Sequence, residues 1–327
     1  MTRSRISILT PCYNEEKTVE ICAQTVCKIM ETELPDCDYE HIFSDNASSD
    51  RTAELLRKLA ADDKRVKVII NSRNVGPFRN MFHALKYATG DAVLIMIPAD
   101  MQDPPELIPQ FVKLWRDGYR IVYGVRTQRE EPFWLRTCRR FYYRLVKTMS
   151  GINIPIDVGE FQLIDRAVVE SLKKVDDYYP YIRGLIAKTG MRSVGVPYTW
   201  RKRNHGISKN SFINLIDQAL NGIVSTSRAP MRICILLGFL LSGLSTLYAV
   251  VQLLWTLLSS GAPRGIPTLI VAQFFFNGIM LFFLGILGEY VLAIHEQIRR
   301  GPPMIPLEMI NFDEGTKATQ SIRSDAA

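Results

Sequence analysis

Along residues 1–125, short apolar runs alternate with amphipathic stretches whose apolar positions recur every three or four residues, predicting strands and helices in turn. Strands are expected at Arg5–Thr10, Tyr39–Ser44, Val66–Asn71, Ala92–Ile97 and Arg120–Tyr123, and helices over 15–31, 51–62, 76–88 and 105–117. Regular alternation of this kind predicts a parallel α/β sheet. In such sheets ligands gather beyond the carboxyl ends of the strands. Those ends carry Pro11-Cys-Tyr-Asn-Glu-Glu16, Asp45-Asn-Ala-Ser-Ser-Asp50, Asn74-Val-Gly76 and Pro98-Ala-Asp-Met-Gln-Asp103. The chemically informative side chains therefore converge on one edge.

Beyond residue 125 the pattern loosens. Phe133 to Met149 reads as a helix with Cys138, Phe141, Tyr142, Leu145, Val146 and Met149 on one face and Arg136, Arg139, Arg140, Arg144 and Lys147 around the other. Such a helix lies either in a membrane interface or on the core with a solvated basic rim. Another carries Phe212, Leu215, Ile216, Ala219, Leu220 and Ile223 at spacings of three and four, and is expected to run along a bilayer surface.

Two charge-free stretches follow, Ile233 to Leu258 and Gly265 to Gly288. Each is long enough to cross about 30 Å of hydrocarbon at about 1.5 Å per residue. Arg228 and Arg232 precede the first, Arg299 and Arg300 follow the second, and the loop Ser259–Arg264 holds a single Arg. Positive flanks place both ends on the cytoplasmic side. A buried helical hairpin of a soluble protein is the competing reading, and two uninterrupted runs argue against it. The tail beyond Arg300, Pro-rich and then polar, is expected to be flexible. The expected organisation is a soluble domain over 1–209, an interfacial helix over 210–232, a two-helix hairpin over 233–300 and a cytoplasmic tail over 301–327.

Composition narrows the partners. Of 327 residues 47% are hydrophobic, enough for a packed core, so global disorder is excluded. The net charge of +7 is concentrated at 126–147, at 199–209 and beside the apolar stretches. With two spans present, that placement suits lipid phosphate and the membrane surface rather than nucleic acid. The six cysteines form no CxxC pair and no metal-like spacing with the four histidines, which fits reduced thiols in a cytoplasmic domain. Met1-Thr-Arg-Ser-Arg5 leads straight into a strand with no apolar leader, so the soluble part is expected to stay in the cytoplasm.

Asp100 lies just past the run Ala92–Ile97, where a carboxylate meets a ligand at the sheet edge. Mg²⁺ or Mn²⁺ takes one or two carboxylates and completes its shell with diphosphate oxygens and water. Gln102 and Asp103 could assist, and an ordinary cap of the helix opening at Pro105 is the alternative. Asp45 suits a hydrogen bond to a base or ribose, whereas Ser48, Ser49 and Asp50 are better explained as capping the helix over 51–62. Gly76 either lets the backbone approach a ligand or only permits a turn.

Taken in order, these pieces resemble the inverting family 2 glycosyltransferases of GT-A fold, and within them the polyprenyl-phosphate glycosyltransferases of the dolichyl-phosphate mannose synthase and bacterial GtrB/ArnC type. Besides the strand-end segments above, the matching pieces are Gly90-Asp91, the extension of the Asp100 segment to Pro104-Pro-Glu106, Gly124-Val-Arg126, Asp157-Val-Gly-Glu-Phe-Gln162 and Arg203-Asn-His-Gly-Ile-Ser-Lys209. The likeness spans 4–300. It implies an α/β, Rossmann-like GT-A domain in the cytoplasm with interfacial helices and two C-terminal transmembrane helices.

The resemblance further implies a nucleotide-sugar donor (UDP- or GDP-linked), Mg²⁺ or Mn²⁺, and a polyprenyl phosphate acceptor, undecaprenyl or dolichyl, at the inner membrane. Pro11, Tyr13, Glu15, Asp45 and Asn46 would frame the nucleoside, and Asp100 and Gln102 the metal. Arg126, Arg136, Arg203, Ser208 and Lys209 would receive the acceptor phosphate, for which arginine's planar fork is suited. Arg139 and Lys202 read as solvated charges. Asp157 would position the acceptor or act as a weak base, with Glu160 competing for that role. Two departures stand out: Pro98 replaces the first aspartate of the family's DxD, and Asp45-Asn46-Ala47-Ser48 replaces Asp-Asp-Gly-Ser. They motivate a non-catalytic nucleotide-sugar-binding alternative. A processive polysaccharide synthase is a second alternative, disfavoured because there is no Gln-x-x-Arg-Trp segment and two spans are few for a channel. Exposed faces of the spans are compatible with a homo-oligomer.

Overall fold

The computed structural model describes residues 3–95, 99–128, 158–177, 180–201, 229–258, 265–299 and 304–313. Two compact units are present: Met1–Phe141 with Ile152–Asn210 and Arg300–Ala327, and Tyr142–Gly151 with Ser211–Arg299.

The first unit is built on β1 (Ser4–Cys12), α1 (Val19–Glu33), β2 (Cys37–Asp45), α2 (Thr52–Asp62), β3 (Val66–Asn71), α3 (Pro77–Leu85) and β4 (Ala92–Ile95). A 3₁₀ turn at Pro105–Leu107 leads into α4 (Ile108–Arg116), then β5 (Ile121–Gln128). β6 (Val158–Asp165), α5 (Arg166–Lys173), α6 (Ile182–Lys188) and β7 (Ser193–Thr199) follow, and β8 (Pro306–Ile310) comes from the far end of the chain. All eight strands form one sheet in the order β7-β5-β6-β4-β1-β2-β3-β8. β1 to β4 are parallel, as the alternating pattern predicts. The sheet as a whole is mixed rather than parallel, because β6 runs antiparallel between β4 and β5, and β8 antiparallel on β3. A local apolar run specifies a strand but not its direction, which here depends on where the chain re-enters after 129–157. This Rossmann-like mixed sheet is the GT-A arrangement the resemblance implies.

Helices cover both faces, so successive strand residues alternate between two cores. Ile6, Ile8, Phe43, Val68 and Leu94 pack into one. Leu9, Ile42, Ile69, Val93 and Ile95 pack into the other. Within the strands lies a buried charge. Glu40, fully buried, accepts from Ser7 Oγ and from the Thr89 amide at 2.7 Å, and pairs with Lys67 at 2.8 Å. It thereby ties β1, β2, β3 and the approach to β4 together.

The expectation of a flexible tail is corrected over 304–313. β8 pairs with β3 from Val68↔Ile310 to Asn71↔Pro306, and Phe312 is buried. A polar, Pro-rich composition hides a five-residue strand. The unpaired edge of β3 provides the hydrogen-bonding partners that no local pattern reveals. As an edge strand, β8 accommodates Pro306.

The second unit contains α7 (Ala229–Leu258) and α8 (Ile266–Arg299), of 30 and 34 residues. Among the described residues one segment, Phe275–His295, is long and apolar enough to cross a membrane. Of the two spans expected, that criterion therefore marks the second. Met231, Cys234 and Ile235 of α7 and Phe276, Met280 and Phe283 of α8 border an apolar groove of about 480 Å³. The helices expected over 133–149 and 212–223 lie outside the described residues.

Candidate active site

Three strand-end loops meet at the carboxyl edge of β1, β2 and β3. The Asn46 amide donates to the Cys12 carbonyl at 2.9 Å, continuing the β1–β2 pairing past the strands. Asn14 (φ 57°) receives the Ser49 amide on its Oδ1 at 2.8 Å and donates its own amide to Ser48 Oγ at 2.9 Å. Ser48 donates both hydroxyl and amide to Asp45, which is wholly buried. Burial raises the Asp45 carboxyl above the usual range, against the pull of these two hydrogen bonds. Asp50 takes the Thr52 amide at 2.9 Å and so satisfies the first amide of α2 from one residue before its N-cap, Arg51, which makes no side-chain cap bond of its own.

Asn46 is 4% exposed and is spent within the protein. Its Nδ2 donates to Asn74 Oδ1, and its Oδ1 accepts the Val75 amide, both at 2.9 Å. It carries the third loop rather than facing outward. Pro11 is half-buried and Tyr13 is 36% exposed. The Glu15 amide donates to Thr52 Oγ1 at 2.9 Å, and its carboxylate accepts from Thr18 at 3.1 Å.

Asp100 is 8% exposed beyond β4, and its Oδ1 accepts the Gln102 amide at 3.2 Å. Between them Met101 adopts φ 54°. Asn14, Ala47 and Met101 are thus left-handed non-glycine residues, one in each of three strand-end loops, and such strain persists only where surrounding contacts over-determine it. Gln102 is joined to the chain at Arg201, whose amide donates to the Gln102 carbonyl at 3.1 Å and whose guanidinium pairs with Glu106 at 3.1 Å. Arg203 stands two residues beyond that anchor.

Asp103, sketched from sequence as an assistant at the metal, is engaged elsewhere. Its carboxylate accepts both from Arg126 Nη2, at 3.0 and 3.1 Å, and from the Tyr198 hydroxyl. Arg126 Nε donates to the same hydroxyl at 3.0 Å, and its guanidinium lies 5.0 Å from the centre of the Trp200 ring. Burial opposes the charge on Arg126, but Asp103 and Tyr198 outweigh it and hold the guanidinium protonated. A phosphate at Arg126 would therefore compete with a carboxylate already in place. Two glycines make room for this cluster: a Cβ at Gly124 would lie 2.5 Å from the Tyr198 ring, and one at Gly159 2.9 Å from the Arg126 guanidinium.

Glu160 pairs with Arg183 at 2.6 Å, and its other oxygen is buried with no hydrogen-bond partner among the described residues. Burial raises its carboxyl above the ordinary range, partly offset by Arg183 and Arg126. Arg136, Asp157, Arg203, Ser208, Lys209 and Pro98 lie outside the described residues. Sequence reasoning missed Tyr198, Trp200 and Arg183; the only signals were Gly124 and Gly159, whose lost side chains mark close approach.

Residues 7–173 match the family described as glycosyl transferase family 2. An uncharacterized glycosyltransferase, YkcC, of Bacillus subtilis is 36% identical over 297 residues, which cover 90% of this chain and 91% of that one. The SfII prophage-derived bactoprenol glucosyl transferase of Shigella flexneri is 32% identical over 302 residues, covering 92% and 97% of the two chains. Glucosyl-3-phosphoglycerate synthase from Mycobacterium tuberculosis, solved with Mn²⁺, uridine diphosphate and phosphoglyceric acid, has a TM-score of 0.50 at 18% identity, covering 68% of this chain and 76% of that one, a likeness of fold alone. With the strand-end loops gathered at one sheet edge and relatives matching along most of its length, the chain belongs to glycosyl transferase family 2 and is a glycosyltransferase.

Proposed function

We propose that this enzyme transfers a sugar from a UDP- or GDP-linked donor to a polyprenyl phosphate, with inversion at the anomeric carbon, giving a lipid-linked monosaccharide. The observation that carries this reading is the match to the bactoprenol glucosyl transferase, which covers 97% of that relative and so includes the helical hairpin as well as the sheet domain. The long apolar α8, with Leu281, Phe282 and Leu284 exposed, supports a membrane-bound acceptor. In this reading α7 and α8 both span the inner membrane, and the catalytic domain and both termini face the cytoplasm.

Asp45, oriented by Ser48, receives the nucleoside together with Pro11, Tyr13 and Glu15, while Asn46 holds the 74–76 loop beside them. Among the described residues no cluster of three metal-ligating side chains exists. The donor set of Asp100 and Gln102 fits a Mg²⁺ or Mn²⁺ that takes one carboxylate and completes its shell from substrate phosphates. When bound, the ion supplies positive charge to the diphosphate that leaves. The attacking phosphate monoester has a second pKa of about 6 and is already anionic at neutral pH, so no strong base is required. Asp157 or Glu160 then has only to orient it, and Arg136, Arg203, Ser208 and Lys209 hold its charge. The Arg201–Gln102 contact favours this assignment, since it starts the 201–209 segment at the donor's diphosphate side.

The test is transfer of labelled sugar from a panel of UDP- and GDP-sugars onto undecaprenyl phosphate in detergent, with Mn²⁺, Mg²⁺ or chelator. Metal-dependent formation of a lipid-linked monosaccharide is expected. Nucleotide binding without transfer from any donor would favour the non-catalytic alternative, with Pro98→Asp as the variant that should then restore activity.

A further inference from the structure

β8 enters the sheet from beyond the helical hairpin in sequence, and it adjoins the strand whose end leads into the donor loops. Just before it, the Ile305 carbonyl accepts the amide of Ser72 at 3.1 Å. Ser72 is the first residue past β3. Asn74, two residues on, accepts from Asn46 Nδ2 and from the Gly76 amide, both at 2.9 Å. Asn46 in turn receives the Val75 amide and donates its own amide to Cys12. A connected run of hydrogen bonds therefore joins Ile305, through the 72–76 loop, to the ends of β2 and β1.

The other end of the segment is fastened independently. Asn311 adopts φ 61° and donates Nδ2 to the carbonyls of Ala60 and Val66, at 2.7 and 2.8 Å. Phe312 is 6% exposed, with its ring 5.8 Å from that of Tyr87 in an edge-on contact. Glu308 pairs with Arg57 at 2.8 Å. Without the segment, β3 would be an open edge and the first amide of the 72–76 loop would lose its partner.

We propose that residues 305–312 are a positioning segment for donor binding: the chain returning past the hairpin is the last strand of the donor-site sheet and holds the 72–76 loop in its binding shape. The inference rests on the donor-site reading above. A loop held in advance binds without first being ordered, so loss of the segment weakens binding and leaves the chemical step alone.

The test uses the full-length chain in detergent, a chain ending at Pro303, and full-length Phe312→Ala. UDP and GDP binding is measured by calorimetry, transfer by initial rates, and hydrogen exchange at 72–76 by mass spectrometry. In the two variants nucleotide Kd and donor KM should rise about tenfold, with kcat within about twofold and faster exchange at 72–76. A synthetic peptide of residues 304–313, added in trans, should restore the truncated chain by strand addition. Unchanged Kd and exchange in a folded variant would overturn the proposal, as would a fall in kcat at constant KM. Should the truncated chain fail to fold, Phe312→Ala decides on the same readouts. Should the full-length chain bind neither nucleotide, the donor-site reading fails, and exchange at 72–76 alone decides whether the segment holds the loop.

Discussion

In the proposed reading Asp100 is the residue on which most depends, since Pro98 stands where the resemblance would put a second carboxylate. Asp100→Asn should lower metal-dependent transfer by at least about 100-fold while leaving folding and membrane insertion intact, as measured by initial rates and by circular dichroism. Full activity in that variant would remove the metal assignment. Ala47 offers a second test. It sits at φ 59° where the family usually has glycine, a conformation that costs an L-residue roughly 1 kcal/mol. Ala47→Gly should raise stability by about that amount in a urea titration, and no gain would mean that the loop relaxes when freed. At this scale Asp45 and Asp100 were legible in the sequence because one ends a strand and the other lies a few residues past one. Asn46 was legible as a position but not as a connector, since its partners lie 28 and 29 residues away.

At the scale of elements, the sheet carries two arrangements that make it sensitive to acid. His41 in β2 is 1% exposed, and burial pushes its imidazole down to about 3; burial likewise pushes His83 in α3 down to about 4. Both are neutral when folded, whereas the unfolded chain takes up protons below about 6.5. Their contribution is therefore fully present above that value and lost as pH falls toward 4. Unfolding free energy should drop by about 3 kcal/mol between pH 7 and 5, and His41→Gln should remove roughly half of the dependence. Glu40 adds to this at lower pH. Burial would raise its carboxyl, but Lys67, Ser7 and Thr89 together hold it below the ordinary range, so its stabilisation is lost as pH falls below about 4.5. Lys67→Met would leave the buried Glu40 only the half-exposed Arg5, 3.4 Å away, as a cation and should cost about 3 kcal/mol by chemical denaturation. A loss below about 1 kcal/mol would mean that Arg5, Ser7 and Thr89 suffice.

For the whole molecule, the proposed division of labour separates donor from acceptor. Arg203→Ala combined with Lys209→Ala should raise the KM for undecaprenyl phosphate about tenfold and leave donor KM within about twofold, since charge-assisted hydrogen bonds to the acceptor phosphate are lost. Equal loss on both substrates in steady-state kinetics would return these residues to a general structural role. The helices α7 and α8 occupy the two charge-free stretches read from sequence, and the outward apolar side chains of α8 are what a lipid-facing surface requires.

What the sequence alone determined is whatever depends on near neighbours. The alternation of β1 to β5 with their helices, the loops bearing Asp45 and Asp100, and the two long apolar helices all follow from periodicities that operate within one element. Tertiary structure decided the rest, because pairing and charge compensation join residues distant in the chain. Asp103 looked free until Tyr198, 95 residues later, closed on it together with Arg126. β6 could have paired in either direction from its own pattern. The tail at 304–313 looked unstructured because a five-residue strand gains its hydrogen bonds only from an edge that β3, more than 200 residues earlier, leaves open.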